Sequence, residues 1–244
     1  MTTPQVVVFT NPDLLAAATA ARLVTTLVDT QAAKGSASLV LTGGRTGTAV
    51  LSHLLATPAR DAVDWSRVDF YWGDERFLPA GDPERNETQA REALLDHIPV
   101  DPARVHAMEP SDGRFGDNPD RAAEAYAASM GKPGFDVLLL GVGEEGHTAS
   151  IFPDSPAVHE HNKSVVAVRD CPKPPPTRIS LTLPAIRRAR EVWLLTTGDA
   201  KADAVAQAIG GAAEVEIPAA GATGLDRTLW LLDRTAAAKL PPVG

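Results

Sequence analysis

The chain has 244 residues, of which 44% are hydrophobic, and a formal net charge of −8. This length predicts a single domain over residues 1–244, since no linker or internal repeat divides it. The acidic balance argues against a nucleic-acid partner, which normally meets a basic face, and no apolar run approaches the ~18 residues that span a bilayer.

Short apolar runs alternate with helical patterns through the first half of the chain. Asn11 and Pro12 predict the cap and first turn of a helix over 12–34. We expect its buried stripe to consist of Leu14, Leu15, Ala18, Ala21, Leu23 and Val24. The other predicted elements are strands over 6–9, 39–41 and 68–72, helices over 46–56 and 86–96, and a short strand near 105–108.

The second half continues the alternation. Its predicted elements are a helix over 119–130, strands over 135–140, 164–168, 191–197 and 228–232, a helix after Asp199, and long loops over 109–119 and 170–176. Alternating strands and helices imply parallel pairing, and continuous apolar strands imply burial on both faces. We therefore predict a doubly wound, mostly parallel α/β sheet flanked by helices, with ligands at the carboxyl ends of its strands.

A glycine-rich turn follows the second predicted strand and contains Thr42, Gly43, Gly44 and Arg45. Such a turn lets backbone N–H groups approach an anion at a helix N-terminus, and Arg45 adds guanidinium donors suited to phosphate. The Lys-Ser/Thr pair of a Walker loop is missing. Phosphate binding and an ordinary tight turn both remain open.

The third strand ends in the charged residues Asp74, Glu75 and Arg76. Functional side chains collect at such strand ends in α/β sheets. The alternative is structural, with Arg76 forming an internal ion pair with Asp74 or Glu75. Spacing alone does not decide between them.

A second glycine-rich stretch, residues 141–146, formally matches GxGxxG and precedes His147. We reject a dinucleotide site, because the match is not on the first strand and Pro153 leaves little room for the long helix required. A histidine titrates near neutrality and suits proton transfer. Glu145 or Glu144 is placed to hold its ring, although a capping or surface histidine is the plainer alternative.

Two basic residues lie at other strand ends. Arg178 follows the loop over 170–176, whose three consecutive prolines at 174–176 either make it a spacer or fix Arg178 in place. Lys201 stands at a predicted helix start. Each could be a surface charge, but their shared location favours a common anionic target. His159 and His161 resemble a metal pair without an evident third ligand, so we interpret them as part of a solvated loop.

The chain resembles the 6-phosphogluconolactonases through segments spread over most of its length. They are TGG at 42–44, DER at 74–76 with Asn86 downstream, GHTASIFP at 146–153, TRISLT at 177–182 and TGDAK at 197–201. The run at 146–153 is highly specific. The resemblance implies a Rossmann-like fold similar to that of the glucosamine-6-phosphate deaminases. In this family an Asp usually precedes the His by two residues, whereas this chain has Glu145, whose side chain is one methylene longer.

The resemblance implies hydrolysis of 6-phospho-D-glucono-1,5-lactone in the oxidative pentose phosphate pathway. Its implied catalytic residues are His147, Glu145 and Arg76, and its implied phosphate-binding residues are Thr42, Gly43, Gly44, Arg45, Arg178 and Lys201. The implied partner is a small sugar-phosphate lactone, with no metal and no organic cofactor. Glucosamine-6-phosphate deaminase or isomerase activity is one alternative, although the segment where the deaminases carry a catalytic glutamate is Phe-Pro-Asp here. A non-catalytic sugar-phosphate-binding module is the other.

We infer the cellular location and the oligomeric state of the protein from features that its sequence lacks. The amino-terminal residues show no signal peptide, and Cys171 is the only cysteine, so no internal disulfide forms. We expect a cytoplasmic protein, monomeric or weakly homo-oligomeric.

Overall fold

The computed structural model describes residues 3–130 and 134–241. The strands in these ranges are β1 (Gln5–Phe9), β2 (Ala37–Leu41), β3 (Val68–Trp72), β4 (Asp74–Arg76), β5 (Val137–Gly141), β6 (Val165–Val168), β7 (Arg178–Leu181), β8 (Glu191–Thr196) and β9 (Arg227–Asp233). The α-helices are α1 (Pro12–Lys34), α2 (Gly44–Ala56), α3 (Asn86–Ala93), α4 (Pro119–Ser129), α5 (Leu183–Ile186) and α6 (Ala202–Ile209).

Six strands form one parallel sheet in the order β1-β9-β8-β5-β2-β3. The central strands read as continuous apolar runs because helices cover both faces; Leu39, Leu138 and Leu194 are fully buried. After the edge strand β1, the chain runs from β2 outward to β3 on one side and from β5 through β8 to β9 on the other, which confirms the predicted doubly wound sheet. In such a sheet the carboxyl ends of neighbouring strands meet at one edge.

Helix α1 begins and ends where its sequence predicts. The Asn11 side chain accepts a hydrogen bond from the N–H of Leu14 (2.9 Å), and Gly35 ends the helix at φ 83°. The predicted stripe was partly wrong, since Leu14 and Ala21 are exposed. The buried residues are Leu15, Ala16, Thr19, Ala20, Leu23, Val24 and Leu27. Alanines on every face of this helix made the register of the stripe ambiguous.

The predicted strand near residues 105–108 is wrong. Only Val105 pairs with the main sheet, through a single parallel bridge to Phe70, followed by a hydrogen bond from the His106 N–H to the Phe70 carbonyl (2.9 Å). Pro102 and Pro110 flank this segment, and proline lacks the N–H that a longer ladder needs.

A second, small antiparallel sheet, in the order β4-β7-β6, stands beside the main one. The strand predicted over 164–168 exists as β6, but it belongs to this sheet and not to the parallel one. Gly73 joins the two sheets, because its N–H donates to the Leu41 carbonyl (3.0 Å) and its own carbonyl accepts from Leu181 N–H (2.9 Å). No helix in the described ranges has the length and apolar character needed to cross a membrane.

Candidate active site

A cleft of about 340 Å³ opens at the carboxyl ends of β2 and β5, beside the small sheet. Its lining brings together segments that are far apart in sequence. These are residues 42–47, Asp74, Arg76, Asn86, 141–144, His147, Ala149, Lys173, Arg178, Leu195 and Lys201. The predicted site residues all line this cleft except Glu145, which contacts His147.

The glycine-rich turn after β2 leads directly into α2. The helix begins at Gly44, two residues earlier than predicted, so the turn itself supplies the first helical N–H groups. These groups have no partner within a helix, and the N-cap residue, Gly43, has no side chain to satisfy them. Gly47 lets the helix approach β2, because a Cβ there would lie 2.2 Å from the Thr42 carbonyl. The arrangement is a potential anion site.

Two cations beside this turn have no ion pair among the described residues, namely Arg45 and Lys201. Burial lowers the pKa of Lys201, and the positive charges of Lys173 and Arg45 lower it further. The turn that carries Lys201 is fixed by Asp233, whose Oδ1 accepts from the N–H of Gly198 (3.1 Å). These cations repel one another and lie beside helix N–H groups that have no partner within the helix. Both features favour binding of an anion here.

His147 and Glu145 meet as the sequence led us to expect. His147 Nδ1 lies 3.1 Å from Glu145 Oε1, although the N–H direction is not aligned for a hydrogen bond. The ring stacks on Phe152, with centroids 4.4 Å apart. Burial lowers the pKa of His147, while the charge of Glu145 opposes this shift. The imidazole is therefore held neutral near pH 7, in the form that accepts a proton.

Sequence reasoning missed Lys173. Its Nζ lies 2.9 Å from Glu145 Oε2, so this carboxylate contacts the imidazole with one oxygen and the ammonium with the other. Lys173 stands in the proline loop over 170–176, which the sequence left as a spacer or a support for Arg178. A lysine among prolines beside a predicted site arginine was the available signal.

Arg178 holds the proline loop in place. Its guanidinium donates to the carbonyls of Lys173 (3.1 Å), Pro174 (3.2 Å) and Pro175 (3.3 Å). Its Nη1 lies 3.9 Å from Asp74 Oδ2, and the side chain is 7% exposed. Arg178 therefore joins the loop to the wall of the cleft.

The three charged residues of β4 have different environments. Asp74 accepts from the hydroxyl of Ser150 (2.7 Å) and lines the cleft. Glu75 is buried, and its carboxylate accepts from the N–H groups of Arg76 (2.7 Å) and of the first two residues of α3 (2.7 and 2.9 Å). Burial raises the pKa of Glu75 to about 7, against the charge of Arg85 and these donors.

The Arg76 side chain does not form the internal ion pair considered from sequence. Within the described ranges its guanidinium donates to the Glu84 carbonyl, while Asp74 and Glu75 pair with Arg178 and Arg85. Arg76 lies directly opposite Arg178 in the small sheet, and both line the cleft.

Asn86 connects the glycine-rich turn after β2 with the acidic residues of β4. Its Nδ2 donates to the Asp74 carbonyl (2.8 Å), and its buried Oδ1 lies against Gly43, where an added Cβ would come within 1.8 Å. Gly43 is therefore required for the close approach of the Asn86 side chain.

His159 and His161 are exposed, in keeping with their interpretation as loop residues. In the ranges that the structure describes, no group of three or more His, Cys, Asp or Glu side chains is arranged to hold a metal ion. Cys171 is a free, buried thiol.

The chain is similar to known proteins over most of its length. The model of the family "Glucosamine-6-phosphate isomerases/6-phosphogluconolactonase" matches residues 10–230. The chain is 59% identical to 6-phosphogluconolactonase of Streptomyces coelicolor, over 98% of this chain and 95% of that protein. It is 55% identical to 6-phosphogluconolactonase of Mycobacterium tuberculosis, over 96% of this chain and 97% of that protein.

Solved structures show the same architecture. The 6-phosphogluconolactonase from Trypanosoma brucei superposes with a TM-score of 0.81 at 31% identity, over 98% of this chain and 99% of that one. A monomeric glucosamine-6-phosphate deaminase superposes with a TM-score of 0.79 over 96% of this chain and 99% of that one. Because its identity is 21%, that second likeness concerns the fold alone.

Proposed function

The chain belongs to the glucosamine-6-phosphate isomerase/6-phosphogluconolactonase family, and we propose that it hydrolyses 6-phospho-D-glucono-1,5-lactone to 6-phospho-D-gluconate in the oxidative pentose phosphate pathway. One observation carries the proposal. A carboxylate-supported imidazole lines one cleft with two cations, Arg45 and Lys201, that form no ion pair among the residues the structure describes. A sugar ester with a phosphate at its far end needs a base and an anion site within one cleft.

The reaction begins with water activation by His147. The neutral imidazole takes a proton from a water molecule as the water oxygen attacks the lactone carbonyl carbon. The ring C–O bond then breaks, and the imidazolium returns the proton to the leaving ring oxygen. General acid–base catalysis of this kind contributes about 10²–10⁴ in rate. Glu145 orients the ring and stabilises the imidazolium through its contact with Nδ1.

The carbonyl oxygen becomes an oxyanion when water attacks. Arg76 lines the cleft and supplies a guanidinium for this oxyanion. Donors aimed at developing charge act strongly in a cleft that excludes bulk water.

The phosphate end of the substrate is held by residues 42–45, Arg178 and Lys201. Thr42 is fixed at the end of β2 because its Oγ1 accepts from the Gly141 N–H (3.2 Å). Binding at this end places the lactone carbonyl near His147. This positioning lowers the activation free energy of hydrolysis. The steps described need no metal ion or organic cofactor.

Deaminase activity is less well supported by the same cleft. Phe152, in the segment where deaminases carry a catalytic glutamate, is buried against the His147 ring. The segment therefore packs the imidazole and offers no acid for opening a sugar ring.

The test is a lactonase assay on the purified chain, corrected for spontaneous hydrolysis, with glucosamine 6-phosphate in parallel. We expect lactone hydrolysis without ammonia release, and a loss of at least tenfold in His147→Ala with the fold unchanged. His159→Ala, which removes an exposed histidine, is the matched control. Near-normal turnover in His147→Ala would remove this residue from the mechanism.

A further inference from the structure

The carboxylate of Glu145 is shared between two partners. Its Oε1 lies 3.1 Å from His147 Nδ1, and its Oε2 lies 2.9 Å from Lys173 Nζ. The two contacts use different oxygens, so both exist at once. The Glu145 carboxylate thus lies between the Lys173 ammonium and the His147 imidazole and contacts both.

The Lys173 side chain is brought to this place by its loop. Arg178 binds the carbonyls of residues 173–175, and the Cys171 N–H donates to the Pro176 carbonyl (3.0 Å). These bonds involve the main chain of Lys173 and leave its ammonium free to contact Glu145. The backbone geometry therefore does not depend on the lysine side chain.

We propose that Lys173 is a positioning residue for the lactonase reaction, which holds the Glu145 carboxylate against His147 and keeps the imidazole in its basic, unprotonated form. This inference rests on the proposed function. Lys173 acts through Glu145, and it does not itself exchange a proton with the substrate.

The electrostatic direction follows from the charges that face the imidazole. Glu145 and Asp74 favour the imidazolium, whereas Lys173 and burial disfavour it. The Arg178 guanidinium lies over the Phe152 ring on which His147 stacks, 6.0 Å from its centroid. Without Lys173, the charge of Glu145 acts on the imidazole uncompensated, and protonation of His147 becomes easier.

The ammonium also restrains the carboxylate. Glu145 is a third exposed and has one more rotatable bond than an aspartate would have at this position. A contact on Oε2 limits its rotation and keeps Oε1 near Nδ1. The longer side chain and the lysine together give the geometry that a shorter carboxylate would give alone.

The experiment compares Lys173→Met and Lys173→Gln with Lys173→Arg. The histidine C–H resonances of the free protein are titrated by NMR, and the His147 signal is assigned by its absence in His147→Asn. We expect the midpoint for His147 to rise by about half a pH unit or more in Lys173→Met and Lys173→Gln, and to stay near wild type in Lys173→Arg. Lys163→Met, which removes an exposed lysine outside the cleft, is the charge control.

The kinetic counterpart is the pH profile of kcat/KM for the phosphorylated lactone, which reports the free enzyme. We expect the acid limb of Lys173→Met to move to higher pH by the same amount, so that activity falls more at pH 6 than at pH 8. An unchanged or lowered NMR midpoint in both neutral variants would overturn the role of Lys173. Absence of lactonase activity in the wild-type chain would instead overturn the proposed function, whatever the titration shows.

Discussion

The imidazole of His147 lies directly against the backbone of Gly143. A Cβ on Gly143 would fall 2.0 Å from His147 Nδ1 and 2.1 Å from Cε1, and the Gly143 N–H donates to the His147 carbonyl (2.9 Å). The second glycine of the GxGxxG match is therefore needed to seat the His147 ring, and not to admit a pyrophosphate.

Gly143→Ala should displace the His147 ring and reduce turnover at least tenfold. The contacts are too short for a methyl group, and the ring is trapped between this backbone and Phe152. Steady-state kinetics and thermal unfolding measure the two effects separately. Gly73→Ala is the control, since its Cβ would meet neighbours only at 3.5 Å or more. Normal turnover in Gly143→Ala would mean that the ring position seen here is not the working one.

Arg45→Ala and Lys201→Ala should weaken binding of the phosphorylated lactone more than binding of its unphosphorylated counterpart. Each removes a charge without an ion pair in the described ranges. A charge-assisted hydrogen bond contributes roughly 1.5–3 kcal/mol, so we expect KM to rise about tenfold or more for the phosphorylated substrate. Lys239→Ala, which breaks only a surface pair with Asp203, serves as control. Equal losses on both lactones would show that these cations do not bind phosphate.

The pH dependence of activity should follow the imidazole. Because burial lowers the pKa of His147 from its ordinary value of 6.5, the acid limb of kcat/KM should have its midpoint below pH 6.5. Glu145 raises this pKa, so Glu145→Gln should move the limb to still lower pH while reducing the maximum rate. The shift is opposite to that expected for Lys173→Met. If the acid limb of Glu145→Gln moved to higher pH, the result would contradict the contact between the Glu145 carboxylate and the His147 imidazole.

The stability contributed by Glu75 should depend on pH in an unusual direction for a carboxylate. Its pKa is raised from 4.5 to about 7 in the folded protein, so the folded state binds the extra proton between these values. The contribution is present below about pH 4.5 and is lost as pH rises through 7. The difference in unfolding free energy between wild type and Glu75→Gln should therefore shrink from pH 5 to pH 8.

Urea unfolding at several pH values measures this difference, with the exposed Glu92→Gln as control. A difference that grows with pH would mean that the three backbone N–H donors outweigh burial and keep the group ionised.

The parallel sheet and most of the cleft could be predicted from sequence for one physical reason. Apolar strands that alternate with helices place their carboxyl ends at one edge, so the residues after β2, β5 and β8 meet there. Arg45, His147 and Lys201 follow these strands and were found on that basis.

The small sheet could not be predicted in the same way. β4 and β7 are three and four residues long, with sequences DER and RISL, and neither contains an apolar run long enough to indicate a strand. The contact of Lys173 with Glu145 depends on how a loop folds over this sheet. Such long-range placement leaves no periodic signal in the chain.

Asn86 shows a different limit. The sequence singled it out only through the resemblance, and its contacts with Asp74 and Gly43 depend on a helix start that Glu75 caps from another strand. A cap supplied from a distant element cannot be recognised from neighbouring residues.

Gly73 lies where the main sheet and the small sheet meet, so the candidate active site is built from both sheets. The main sheet has six strands, while the β4-β7-β6 sheet has three short ones, and its β4–β7 pairing joins residues about a hundred positions apart. Smaller units of this kind open at lower free energy than the global transition. Amide exchange should accordingly be faster in β4 and β7 than in β5 and β8, so inactivation by mild denaturant would precede loss of the parallel sheet.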